Sequence, residues 1–150
     1  MKYSLIDCHA DTASVALDKK VGFYDNGLQV DLKKVNFQYT QFFAAFVAPE
    51  YRETAYERTM NIIKKLKSEI ENNESVVLCK DYDDYCENEG KIRAFLSVEG
   101  LEAVDDISVL DELYGEGVRM ATLTWNYSNQ LTGGVLEEEQ GLTPLGRKVI

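Results

Sequence analysis

The stretch that most narrows the fold is "YTQFFAAFVAP", Tyr39 to Pro49, a nearly unbroken apolar run closed by a proline. A run this short, with no polar alternation, fits a β-strand buried on both faces. Such strands belong to parallel sheets, because β–α–β crossovers lay helices over the sheet. The next segment supplies such a helix. Between Tyr51 and Asn72, the residues Tyr56, Met60, Ile63, Leu66 and Ile70 recur at helical spacing, and Lys64, Lys65, Lys67 and Glu69 fill the other side. Asn72 and Asn73 mark its end.

The same alternation continues along the chain. Tyr3 to Ile6 is a short strand-like run that breaks into polar residues, and Asp31 to Val35 is a polar turn or short helix. "SVVLC" (Ser75 to Cys79) reads as a strand and "DYDDYCENEG" as a polar helix or loop. "IRAFLSVEG" (Ile92 to Gly100) is a strand ending in a turn, after which Asp106 can cap a helix over Ile107 to Tyr114, stopped by Gly115 or Gly117. Val118 to Trp125 is the next strand, followed by a long loop whose acidic run, Glu137 to Glu139, suits a solvated surface. Thr143 as N-cap with Pro144 at the first helical position opens a final helix. Strand, helix, strand, helix is the order of an α/β protein with a parallel sheet. With 150 residues, no linker and no repeat, the chain reads as a single domain.

Charge removes some functions. Acidic residues outnumber basic ones 26 to 16, for a formal net charge of −10, which opposes a nucleic-acid footprint. No segment has the length of a transmembrane helix, and "MKYSLIDCHAD" lacks the apolar core of a signal peptide, so the expectation is a cytoplasmic protein that needs no membrane. Cys8, Cys79 and Cys86 are odd in number and far apart, which fits free thiols.

Chemistry in parallel α/β proteins collects where strands end. His9, the only histidine, and Asp11 lie there, in "DCHADT". Residues i and i+2 of an extended segment point the same way. An imidazole and a carboxylate so placed suit a divalent metal, or else hydrogen-bond each other. Glu99 ends its strand before Gly100, and is either a carboxylate able to bridge two metals or a solvated loop acid. Trp125 and Asn126 offer a pocket wall and a polar contact, though the indole equally suits a core. Asp7 is a candidate to support the ligands from behind, and Cys8, next to His9 on a strand, should face away from them. There is no G-x-S-x-G elbow, no Walker motif and no G-x-G-x-x-G.

"IDCHADT", "VDLKKVNFQYTQFFAAFV", "AFLSVEGLEAVDDISVLDELYGEGVRMATLTWNYSN" and "GLTPLGRKVI" together resemble the membrane (renal) dipeptidase family of zinc dipeptidases, in order and spacing and across nearly the whole chain. The resemblance implies a (β/α)8 TIM-type barrel, of which these parallel β/α units would form the first half, so that residues 1–150 are a partial domain. It implies His9 and Asp11 as ligands of one zinc and Glu99 as the catalytic carboxylate bridging two, with a metal-activated water attacking the peptide bond of a dipeptide, often one with a C-terminal D-residue. It places Trp125, where some members have a histidine that contacts substrate, and Asn126 beside the substrate. The family's remaining histidine ligands, an arginine and a catalytic aspartate come from later strands. The chain is therefore expected to be a fragment, holding one zinc or none and inactive by itself. It would associate with itself or with the C-terminal half to cover its open sheet edges. A non-catalytic truncated module and an N-acyl amino acid deacylase on the same barrel are the alternatives.

Overall fold

The computed structural model describes residues 4–137 and 140–150. Five parallel strands alternate with helices: β1 Ser4–Ala10, β2 Gln38–Phe46, β3 Val76–Leu78, β4 Ile92–Glu99 and β5 Val118–Thr122. The helices are α1 Thr12–Lys19, α2 Ala55–Glu71, α3 Tyr82–Glu87, α4 Ile107–Glu116 and α5 Pro144–Val149. Leu32–Lys34 and Pro49–Thr54 are 3-10 turns, the latter leading into α2. None of the helices among the described residues is long and apolar enough to cross a membrane.

β4 is the centre of the sheet. β2 pairs with it from Thr40↔Arg93 to Phe46↔Glu99 and so occupies one edge. The other edge is shared end to end, by β3 against Ile92 to Ala94 and by β5 against Leu96 to Glu99. β1 pairs β2 on the far side. Among the described residues the outer edges of β1, β3 and β5 carry no further strand, so the sheet is an open arc of parallel β/α units.

The core lies on one face of the arc. Phe43, Ala45, Ala94, Leu96 and Val98 from the strands meet Ala13 and Ala16 of α1, Ile62, Ile63 and Leu66 of α2, and Leu113 of α4. Strand alternation sends the intervening residues to the other face, where Phe42 stacks on Phe95 at 4.7 Å between ring centroids. There Ile6, Thr40, Phe42 and Phe95 help line an open cavity of about 630 Å³, and Ile6 is 53% exposed.

Several expected boundaries move. β1 runs to Ala10 instead of stopping at Ile6, and Tyr3, its expected start, lies outside the described residues. β5 stops at Thr122, three residues before Trp125. α1 follows β1 directly, and "DYDDYCENEG" contains α3. The caps stand as expected: the Asp106 carboxylate accepts from Ser108 N–H at 2.9 Å, α4 ends at Gly117 with φ 108, and Thr143 Oγ1 accepts from Gly146 N–H at 3.0 Å. Glu138 and Glu139 lie outside the described residues; Glu137 is exposed and accepts from Ser128 N–H.

Candidate metal centre

Parallel strands in register bring their C-terminal ends to one rim, and three ligand-type side chains meet there. His9 Nε2 lies 3.4 Å from Asp11 Oδ2 and 3.4 Å from Glu99 Oε2. One potential donor atom from each residue falls within 4.8 Å of the others. His9 and Glu99 are 90 positions apart in sequence; the β1–β2–β4 pairing closes that distance.

His9 and Asp11 do not converge through strand alternation. β1 carries a bulge between Asp7 and Ala10, where three steps on β1 match two on β2. His9 falls in this irregular stretch, inside the strand and not beyond it. Asp11 has already left the strand and stands at the N-cap of α1, with φ −82 and ψ 9. An aspartate there normally accepts from the first turn of its helix. Asp11 makes no such bond, and its Oδ1 is buried without a hydrogen-bond partner. Asp7 supports the site from behind by accepting His9 N–H at 3.1 Å. Cys8 is a free, exposed thiol outside the group.

Glu99 is half-buried at the end of β4. Burial raises the pKa of its carboxyl, the His9 ring draws it down and Asp11 raises it again, with a net upward shift. Among the described residues no lysine or arginine pairs with Asp11 or Glu99. A desolvated carboxylate, an orphaned carboxylate oxygen and one imidazole, with no basic side chain between them, form a donor set that fits a divalent cation such as zinc.

Trp125 and Asn126 do not close a strand. They lie in the loop after β5, and Trp125 packs edge-on against Phe46 with ring centroids 4.9 Å apart. Phe46 is the register partner of Glu99, so the indole stands over the same rim, 36% exposed. Tyr127 leans on Trp125 at 6.0 Å, and the Arg52 guanidinium lies 5.4 Å from the Tyr127 ring. Asn126 contributes its carbonyl to Leu136 N–H at 3.0 Å.

Three residues important to this rim gave no sequence signal. Thr122 Oγ1 accepts Gly100 N–H at 2.9 Å and fastens the end of β4 to β5. Glu102, within the turn that follows Glu99, has a half-buried carboxyl whose Oε2 lacks a hydrogen-bond partner, and burial raises its pKa. Gln130 reaches the same turn from the loop. Only the register of β4 and β5 and the path of the loop place these groups together.

Comparison with known proteins agrees with this fold. The family described as membrane dipeptidase, peptidase family M19, matches residues 1–150. An uncharacterized dipeptidase of Schizosaccharomyces pombe, C965.12, is 30% identical over 154 residues, covering 85% of this chain and 36% of that protein. The crystal structure of dipeptidase AC, a metallopeptidase of family M19, superposes with a TM-score of 0.82 at 19% identity over 100% of this chain and 53% of its own. A metallopeptidase from Rhodobacter sphaeroides, liganded with a phosphinate mimic of the dipeptide L-Ala-D-Ala, superposes with a TM-score of 0.86 at 18% identity over 99% of this chain and 55% of its own. The chain thus spans about half the length, or less, of the proteins it matches.

Proposed function

The chain belongs to the membrane dipeptidase family, peptidase family M19, and on that premise we propose that it supplies one side of a dinuclear zinc centre that hydrolyses dipeptides. The observation that carries this reading is the convergence of His9, Asp11 and Glu99 at one rim of the sheet, with donor atoms within 4.8 Å. His9 Nε2 and Asp11 would hold one ion, and Glu99, with an oxygen to spare, would reach both. Zinc ions held there would supply a lowered water pKa and a polarising charge for the scissile carbonyl.

The chain's own residues have defined tasks in this scheme. The Asp7 carboxylate and the β1 bulge set the direction of His9. Asp11 forgoes capping α1 and keeps an oxygen free. Trp125 and Phe46 form an apolar wall beside Glu99, against which a dipeptide side chain can rest and from which water is displaced, and Asn126 borders it. A dipeptide with a C-terminal D-residue is the preferred substrate in this proposal, supported by the dipeptide mimic bound to the Rhodobacter relative.

His9, Asp11 and Glu99 supply too few donors for two ions, each of which takes about four ligands. The 150 residues alone are therefore expected to bind metal without turning over a dipeptide. The free edges of β1, β3 and β5 are expected to be covered by another copy or by the remainder of the barrel. Zinc analysis of the purified chain tests the centre: stoichiometric metal in the parent, lost in both His9→Ala and Glu99→Ala, supports it. Metal that survives both substitutions, or none in the parent at neutral pH, rejects it. Hydrolysis of L-Ala-D-Ala by the chain alone, abolished by His9→Ala, would show that these residues suffice for catalysis.

A further inference from the structure

The turn that follows Glu99 is gripped by a single side chain from elsewhere. Gln130 Nε2 lies 2.9 Å from the carbonyl of Leu101, 3.1 Å from that of Glu102 and 2.6 Å from that of Val104. An amide nitrogen carries two N–H donors, so three carbonyls share them around one point. The backbone has left the sheet at Gly100 with φ +80, and carbonyls of such an irregular, half-buried segment need partners.

Gln130 is itself firmly placed. Its backbone carbonyl accepts from Thr143 Oγ1 at 2.7 Å. Leu131 beside it is fully buried, donates its N–H to Asn129 Oδ1 at 2.9 Å and accepts from Thr143 N–H at 2.9 Å. The turn is held on its other side by Gly100 N–H to Thr122 Oγ1 at 2.9 Å and Leu101 N–H to the Leu123 carbonyl at 3.2 Å. Glu99 enters this clamp directly, with its carboxylate 3.4 Å from His9.

We propose that Gln130 is a positioning residue for the metal centre: by gathering the carbonyls of Leu101, Glu102 and Val104 it fixes the turn from Gly100 to Val104, and with it the direction in which Glu99 presents its carboxylate. This inference rests on the metal-centre reading above. Gln130 belongs to the loop that carries Trp125 and Asn126, so the same contact sets the spacing between the apolar wall and Glu99.

Gln130→Met keeps the side chain's length and removes its donors. Zinc affinity by chelator competition, the visible spectrum of the cobalt-loaded chain and thermal stability are measured together. Loss of a group that orients a metal ligand lowers affinity about 10- to 100-fold. The expected result is a folded variant with at least about tenfold weaker zinc binding and an altered cobalt spectrum. Thr122→Val, which releases the turn from its other side, is expected to do the same. Asp106→Ala, which removes only the cap of α4, is expected to lower stability and leave affinity and spectrum unchanged. Parental affinity and spectrum in both Gln130→Met and Thr122→Val would overturn the inference while leaving the centre intact. A parent chain that binds no zinc would overturn the centre first and this inference with it.

Discussion

Substituting alanine at Gly100 brings two separable penalties to one carbon atom. Gly100 has φ +80, a conformation that costs an L-residue about 1–2 kcal/mol. A Cβ built there would also lie 2.2 Å from Glu102 Oε2 and 2.9 Å from its Cδ. No packing tolerates such a distance, so the Glu102 carboxyl, the far end of a flexible side chain, must swing aside, at the cost of an off-rotamer torsion, about 0.5–1.5 kcal/mol. Gly100→Ala is therefore expected to destabilise the chain by about 1.5–3.5 kcal/mol, the sum of the two terms. With Glu102→Ala already in place the clash is gone, and the same change should cost only the backbone term of about 1–2 kcal/mol. The coupling between the two sites should then fall at about 0.5–1.5 kcal/mol, within the usual range for groups in contact. Urea unfolding of all four chains, followed by far-UV circular dichroism and by the fluorescence of Trp125, the sole tryptophan, gives these numbers. An equal cost for Gly100→Ala in both backgrounds would refute the steric part. A negligible cost in the Glu102→Ala background would refute the backbone part.

Other outcomes follow from single residues. Leu66 of α2 is 1% exposed in the core, and Leu66→Ala is expected to cost about 2–5 kcal/mol in the same urea assay. Hydrogen bonds from the Ser108 side chain and backbone hold the pKa of Asp106 below its ordinary value. Its contribution is therefore complete above the unfolded-state pKa and is lost as pH falls through the folded one, so the stability gap between parent and Asp106→Ala should close below about pH 4. Burial, with a smaller push from Asp84, raises the Cys79 thiol to about 11, whereas Cys8 and Cys86 are exposed. A thiol reagent at pH 8 is expected to titrate two cysteines in the folded chain and the third only after denaturation; three fast thiols would place Cys79 outside the core.

The α/β class and the caps of α4 and α5 were legible because each rests on a local signal: an apolar run, an aspartate before a helical period, a Thr-Pro pair. Boundaries at the rim were not. β1 continues through Asp7, Cys8 and His9 because the functional end of a strand is polar, so the end of the apolar run does not mark the end of the strand. The reverse holds for β5: Leu123 and Trp125 look like more strand but lie in the following loop, where Leu123 packs on the core and Trp125 on Phe46. α1 leaves no apolar stripe in the sequence because its buried side is built from the small residues Thr12, Ala13, Ser14 and Ala16. The His9–Asp11 pairing was expected from strand alternation and arises instead from a bulge and a helix N-cap. The approach of Glu99 to His9 depends on the register of three strands, which no local pattern encodes; resemblance to the family anticipated it.

The shared edge of β4 has a consequence for how the rim is made. When β4 leaves the ribosome, β2 and β3 have already been synthesised, and the lower half of β4, at Arg93 and Ala94, can be flanked on both sides at once. Its upper half, Leu96 to Glu99, has β2 alone until residues 118–122 emerge. The nascent chain thus completes the stretch ending in Glu99 later than the foot of the same strand. An ion arriving early would meet a glutamate whose strand is still open along one side.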